Sequence, residues 1–428
     1  MLGILFSRGH EFTDDEADAD IIILNTCCFI GDAKEESIAE IERLSAIKRE
    51  GHLKLLVVCG CLAQRYKDEI SSEFPEVDII LGTMSIGKLG SIIDKALENE
   101  ASDTGAVSVY DPLDIKPYSN SLRSLTTGGH YAYLKIAEGC DKRCTYCIIP
   151  SLRGPYRSIP MDELLDEAAQ LAKNGVKELI LVAQETTVYG KDLYGKKTLP
   201  ELVGKLCDIE GIRWIRILYA YPEEIDDEFI EMMASEEKVC KYLDIPIQHC
   251  SDRVLAKMGR RTTRASIEAL IKKLREKVPG IALRTSLITG FPGETQEDYE
   301  ELYRFVNEYE FERLGVFTYS REEETPSADF EDQVPGETAA FRRDELMELQ
   351  QAVIFDLNDS YIGEKLEVII EGFLPDEGVY VGRTYRDAPD VDGLIFLESG
   401  RELMTGDMVM ARVKESRGYD LFGEMINE

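Results

Sequence analysis

The sequence predicts an α/β chain in three parts: an N-terminal domain on a parallel sheet, a central partial (β/α) barrel, and a small antiparallel β-barrel at the C-terminus. Three observations carry that expectation. Short apolar runs alternate with amphipathic helical stretches over residues 1–100. The same alternation resumes at Tyr131, and beyond Gly363 it gives way to short strands separated by turn residues. Continuous apolar strands with helices between them belong to parallel sheets covered on both faces, whereas period-two strands with tight turns belong to small barrels.

In chain order, 20–25 (DIIILN), 53–59 (LKLLVVC) and 77–81 read as strands, with helices over 33–50 and 85–98. Residues 101–130 mix Ser, Thr, Gly, Pro and Asp without a period and read as a linker. The central domain, 131–335, has expected strands at 131–137, 178–183, 214–218, 242–247, 282–288 and 313–318, with helices such as 161–174 and 264–278 between them. Six such units are too few to close an eight-stranded barrel. A linking helix follows within 336–362, and the small barrel occupies 363–428.

With 428 residues, 44% of them hydrophobic, the chain is long enough for two to three domains with sizeable cores. No apolar run approaches the roughly 18 residues that span a bilayer, and no leader pattern opens the sequence, so a cytoplasmic protein away from membranes is expected. Ten clustered cysteines in such a chain point to metal or catalysis more than to disulfides. The formal charge of −33 repels polyphosphate and favours cationic partners.

The chemistry is concentrated in EGCDKRCTYCIIPSLRGPYR, residues 138–157, which spaces Cys140, Cys144 and Cys147 as C-x3-C-x2-C directly after an expected strand. Three soft thiolates suit an iron–sulfur cluster, and with only three protein ligands a 4Fe–4S cube keeps one iron open for the amino and carboxylate groups of a small molecule. The alternative is a structural zinc knot, but this wants a fourth Cys or His, and none lies nearby in the sequence. Tyr146 would form a stacking wall beside a bound adenine, and Arg153 and Arg157 would be cations near anionic groups. Polar residues recur after successive central strands: Gln184, Glu185 and Thr186, then Tyr219 and Tyr221, then Gln248 and His249, then Gly290 and Glu294. Such strand ends line the active sites of βα barrels. Taken singly, His249 also reads as a hydrogen-bonded structural histidine, and Gly290 as a residue that merely permits a tight turn.

These residues resemble the radical S-adenosylmethionine (SAM) enzymes and, among them, the methylthiotransferases. Asn25-Thr26-Cys27, Gly60-Cys61-Leu62-Ala63-Gln64, the three-cysteine loop and a terminal barrel similar to a TRAM domain carry that resemblance over nearly the whole chain. Asn25-Thr26-Cys27 with Phe29-Ile30, Ala33-Lys34-Glu35-Glu36-Ser37, Leu243 to His249 and Tyr419-Asp420-Leu421 resemble the branch that modifies small-subunit ribosomal protein twelve. The resemblance implies a methylthio group added to the β-carbon of one aspartate of that protein, by SAM, two 4Fe–4S clusters and a one-electron donor such as flavodoxin or ferredoxin. It implies cluster ligands Cys140, Cys144 and Cys147, and for the second cluster Cys27 and Cys61. It also implies SAM contacts from Tyr146, Arg153, Gln184, Glu185, His249, Gly290 and Glu294. The family's third ligand for the second cluster, in a Gly-Cys-x-x-Asn turn, has no counterpart here, and a shortened start is the expected reason; Cys28 and Cys59 are expected to be buried thiols. Within the family a tRNA methylthiotransferase is the rival reading, and outside it a non-enzymatic iron–sulfur or zinc binding scaffold. Against tRNA, residues 361–428 hold seven Lys/Arg and fifteen Asp/Glu, a net −8 that lacks the basic stripe RNA needs.

Overall fold

A computed structural model describes residues 1–98, 106–118, 123–125 and 128–426. The chain packs as two units: Met1–Ser124 with Glu138–Arg157 and Ser320–Asp329, and Leu125–Ala137 with Ser158–Tyr319 and Phe330–Glu428.

The first unit is built on four parallel strands in sequence order, β1 (Ile21–Thr26), β2 (Leu55–Gly60), β3 (Ile79–Leu81) and β4 (Val107–Val109). The stretch expected to be a linker thus supplies the edge strand, while its segments 101–105, 119–122 and 126–127 lie outside the described residues. β2 is buried along its whole length, as its unbroken apolar sequence requires. Alternation divides it between two cores. Leu56 and Val58 pack with Ile41, Leu44 and Leu62, whereas Leu55, Val57 and Cys59 pack with Leu5, Leu89 and Ile93. Each fully buried aliphatic side chain contributes about 1.5–3 kcal/mol. At its end β2 turns abruptly into the helix Cys61–Arg65. Gly60 makes that turn at φ 98°, and a Cβ there would lie 2.5 Å from the carbonyl oxygen of Thr26. Only glycine fits so close an approach.

The second unit holds six parallel strands in sequence order, β5 (Tyr131–Lys135), β6 (Glu178–Val182), β7 (Trp214–Ile217), β8 (Val239–Asp244), β9 (Ala282–Thr289) and β10 (Arg313–Thr318). Helices Met161–Lys173, Leu199–Cys207, Asp227–Ser235, Arg264–Lys277 and Gln296–Tyr309 make the crossovers. This is a βα barrel left unclosed. β8 begins and ends three residues before its expected bounds; its end falls short because Pro246 has no N–H for the ladder. Thr263 with Ser266, and Thr295 with Asp298, form capping boxes that fix two helix starts.

The helix Gly336–Asp359 leads to a closed five-stranded barrel of β11 (Lys365–Leu374), β12 (Val379–Thr384), β13 (Ile395–Glu398), β14 (Met408–Arg417) and β15 (Asp420–Met425). Its pairings are antiparallel, as expected, except for β13 with β15, which run parallel.

Candidate functional site

In the first unit the loop after residue 137 is folded by a glycine. Gly139 sits at φ 82°, where a Cβ would lie 2.1 Å from the Pro155 carbonyl oxygen. That close approach lets the Cys140 N–H donate to the Gly154 carbonyl at 3.2 Å and closes the loop's two ends on each other. Arg143, between the first two cysteines, is left-handed at φ 54°, and the Cys147 N–H donates to the Cys144 carbonyl at 3.0 Å. The backbone is thereby wound tightly enough to hold three sulfurs on one short segment. Cys140 and Cys144 are buried, and the Lys142 N–H points at the Cys140 Sγ, 3.5 Å away. Burial, and then the neighbouring Cys144 and Cys140, push the Cys147 thiol up to about 12. A thiol raised in this way is ionised only beside a strong positive charge. Among the described residues no three His, Cys, Asp or Glu side chains surround a single ion position. The thiolates of an iron–sulfur cube each take a different iron, so this donor set fits a cluster without that convergence. Tyr146 occupies the turn between Cys144 and Cys147, half-buried.

A second group of cysteines stands at the carboxyl ends of β1 and β2. Cys27 is exposed, and its N–H and carbonyl both bond to the Ser37 hydroxyl, at 3.1 and 2.9 Å. Cys61 opens its short helix, and Cys28 is close enough that burial, then Cys61, push its thiol up to about 12. Cys59 belongs to the opposite face of the sheet; burial pushes it up to about 11. Arg153, from the helix Ile149–Arg153 that follows the three-cysteine loop, donates to the Cys61 Sγ at 3.2 Å and to Glu138 Oε1 at 3.4 Å. The sequence suggested a cation near the cluster or the cofactor carboxylate; the fold puts this guanidinium on the N-terminal cysteine group. A cleft of about 610 Å³, lined in part by Gln64, Arg65, Ser151 and Leu152, is bounded by both cysteine-bearing segments.

In the second unit the expected strand-end residues fall into two kinds. Gln184 and Glu185 follow β6; Glu185 is buried and receives the Thr187 N–H at 2.9 Å, with the Thr187 hydroxyl donating to the same oxygen. His249 is fully buried. Its Nδ1 accepts the Ser251 N–H at 2.9 Å, so the proton resides on Nε2, which has no hydrogen-bond partner and lies 3.9 Å from Glu294 Oε2. Burial, reinforced by Arg253 and Arg342 against the opposing pull of Asp298, lowers this imidazole to about 3 and keeps it neutral. Glu294 closes its own turn: it accepts the Gly290 N–H at 2.8 Å, the Phe291 N–H at 3.3 Å and the Arg342 guanidinium at 2.7 Å. Gly290, at φ 73°, is needed for packing, since a Cβ would fall 2.2 Å from that of Ala339. Thr186, Tyr219 and Asp244, legible in the sequence only as residues at the ends of successive strands, form a hydrogen-bonded knot.

A three-cysteine loop leading out of an open parallel βα barrel defines the class of radical SAM enzymes. The sequence profile of the radical SAM superfamily matches residues 134–306, that of a TRAM domain residues 362–426, and that of the uncharacterized protein family UPF0004 residues 1–82. In fold, the chain resembles the radical SAM methyltransferase TsrM of Kitasatospora setae, with a TM-score of 0.55 at 17% identity over 72% of this chain and 65% of that one. It is 56% identical over 423 residues to the ribosomal protein uS12 methylthiotransferase RimO of Lachnoclostridium phytofermentans, covering 99% of this chain and 95% of that protein. The protein of the same name from Acetivibrio thermocellus is 50% identical over 431 residues, 100% of this chain and 95% of its own. The chain belongs to the uS12 methylthiotransferase family of radical SAM enzymes, and an iron–sulfur cluster and SAM come with that membership.

Proposed function

We propose that this chain places a methylthio group on the β-carbon of an aspartate of ribosomal protein uS12. The observation that carries the reading is its likeness, end to end, to enzymes named for that reaction. Cys140, Cys144 and Cys147 would hold a 4Fe–4S cluster with SAM on its open iron. When bound, these supply one-electron chemistry able to open an unactivated C–H bond, while the protein binds, orients and excludes water. The Gly139–Gly154 closure would hold the three sulfurs in place. Tyr146, Gln184 and Glu185 remain candidates for the cofactor's own contacts. His249 would offer an Nε2–H donor in a dry setting. Glu294 and Gly290 would act by keeping the turn after β9 in shape, and Arg153 by its hydrogen bond to Cys61.

A second cluster on Cys27 and Cys61 would supply the sulfur. The hydrogen bond from the Arg153 guanidinium places a positive charge against the Cys61 sulfur, as a ligand thiolate would need. The functional division would be 1–100, 131–335 and 363–428, with 336–362 as the connecting helix and a flavodoxin- or ferredoxin-like donor delivering electrons in the cytoplasm. Protein is favoured over tRNA as acceptor by the C-terminal barrel. Of its seven cations Arg383 and Arg386 are buried, and Lys414 and Arg417 are paired with Glu424 and Glu415. Few are left to meet phosphates.

The test is anaerobic reconstitution with iron and sulfide, followed by SAM, a reductant and either uS12 or tRNA. We expect 5′-deoxyadenosine and a methylthiolated aspartate on uS12, both lost in Cys144→Ala. Modification of tRNA alone would overturn the reading.

A further inference from the structure

Tyr219 is an anomaly at the active end of the open barrel. Its φ is 58°, in the left-handed region that a bulky side chain enters only under constraint. The constraint is visible. The Tyr219 N–H donates to Asp244 Oδ2 at 3.1 Å, and its carbonyl receives the Thr186 N–H at 3.2 Å and the Thr186 hydroxyl at 3.1 Å. Both partners are buried, and Asp244 is itself fixed by Arg284 at 2.9 Å. Glycine would make the same three bonds without strain. The fold nonetheless carries a tyrosine there, 47% exposed, whose phenol bonds to no described residue. Strain that the surroundings enforce, bearing a side chain the fold does not use for packing, marks a functional position.

The chemistry around the ring narrows what it meets. Burial, and then the Asp244 carboxylate, keep the phenol protonated well into the alkaline range, so it is a hydrogen-bond donor at neutral pH. Gln248, in the loop after the neighbouring strand β8, is also left-handed, at φ 69°. Two non-glycine residues in this conformation after adjacent strands indicate a mouth whose shape is imposed rather than relaxed. An exposed aromatic plate with a free O–H donor suits an extended peptide that presents a carboxylate.

We propose that Tyr219 contacts the acceptor: its phenol donates a hydrogen bond to the carboxylate of the aspartate to be modified, and its ring supports the segment that carries it. This rests on the uS12 reading and deepens it.

The experiment compares wild type, Tyr219→Phe and Tyr219→Gly in the reconstituted enzyme. Three readouts are taken: affinity for a uS12 peptide bearing the target aspartate, 5′-deoxyadenosine formed without peptide, and melting temperature. Loss of a hydrogen bond to a charged group weakens binding about tenfold or more. Tyr219→Phe should therefore raise the peptide Kd and KM by about that factor, leaving peptide-independent SAM cleavage unchanged. Tyr219→Gly should bind more weakly still while melting at the wild-type temperature or above, since it releases the backbone. A peptide in which the aspartate is replaced by alanine should bind wild type and Tyr219→Phe equally. Unchanged affinity in Tyr219→Phe would overturn the proposal, as would a drop in melting temperature and SAM cleavage in step with binding in Tyr219→Gly. Failure of the wild type to bind or modify the peptide at all would instead overturn the uS12 assignment.

Discussion

The six strands of the open barrel carry polar side chains at both ends, and the two ends use them in opposite ways. At the amino ends, Glu178 of β6, fully buried, receives Arg216 of β7 at 2.7 Å and Arg383 of the small barrel at 2.6 Å. Arg383 also reaches Glu371 at 2.5 Å, Arg313 of β10 pairs with Asp387, and the Tyr242 hydroxyl donates to Asp392 at 2.8 Å. Here the loop after β12 plugs the barrel floor, and the buried carboxylates are matched by cations. At the carboxyl ends the polar groups are of another kind: a buried neutral imidazole with an orphan Nε2, and tyrosine and glutamine backbones held left-handed. One end is arranged to stay shut and the other to receive something, the division expected of barrels whose chemistry lies at the strand tops.

The sharpest way to break this comparison is Glu178→Ala. Burial alone would raise that carboxyl, but the two guanidiniums overcome it and hold the group below its ordinary value. Removing it strands two buried cations, at a cost of about 3–5 kcal/mol. We expect a large fall in melting temperature, with SAM cleavage per folded molecule little altered. If Glu178→Ala melted like wild type, the floor would not be a structural seal.

A smaller effect separates the ends by pH. The folded state keeps His249 neutral down to about 3, whereas the unfolded chain protonates it near 6.5. The unfolded state thus binds the extra proton between those values, and stability falls as pH drops through 6.5, with a slope approaching about 1.4 kcal/mol per pH unit. Nearby Asp298, lowered to about 2 with burial opposed by its hydrogen bonds from Ser251, Thr295 and Arg253, titrates at lower pH, and Glu294, raised by burial against Arg342, contributes with the opposite sign. Comparing denaturant unfolding of wild type and His249→Gln between pH 6.5 and 5 therefore isolates the imidazole. His249→Gln should show a shallower fall than wild type, and identical slopes would refute the assignment.

What the sequence revealed follows the range of the interactions. The three-cysteine loop was legible because its ligands lie within eight consecutive positions, 140–147. The N-terminal cysteines were legible as residues at two strand ends, but as a ligand pair only through a resemblance, since it is the parallel register of β1 and β2, Thr26 beside Gly60, that brings Cys27 alongside Cys61. The floor network was missed because charged residues are read as solvated. Its one local signal was a glutamate opening the otherwise apolar ELILV and an arginine inside WIRI. Glu294 read as a ligand contact, and its second task, closing its own turn, was hidden because that depends on Arg342 far along the chain. Nothing in a tyrosine codon announces a left-handed backbone.

A third test is Thr186→Val, which deletes the hydroxyl bonded to the Leu218 and Tyr219 carbonyls at 2.8 and 3.1 Å. One of two donors to Tyr219 persists, so the loss should be about 1 kcal/mol. Peptide affinity should fall more than stability does, because the clamp sets where the ring points; a purely global loss would count against Tyr219 as an acceptor contact.

The smallest effect is expected where the pairing looks just as good on geometry. Lys414 stands 2.5 Å from Glu424 across β14 and β15, in a contact as close as those of Glu178. Both partners are solvated, with side chains 50% and 41% exposed, so water and salt screen the attraction, and fixing two long side chains offsets most of the remainder. Lys414→Ala should leave the melting temperature unchanged within error at low and at high salt. The contrast with Glu178→Ala isolates desolvation. In the floor, removal of one partner exposes the others to no solvent, so they keep the full penalty of burial; on the barrel's surface, water replaces the lost lysine at once. A destabilised Lys414→Ala would mean that ion pairs support this fold wherever they occur, and the distinction between a sealed floor and an open mouth would no longer rest on burial.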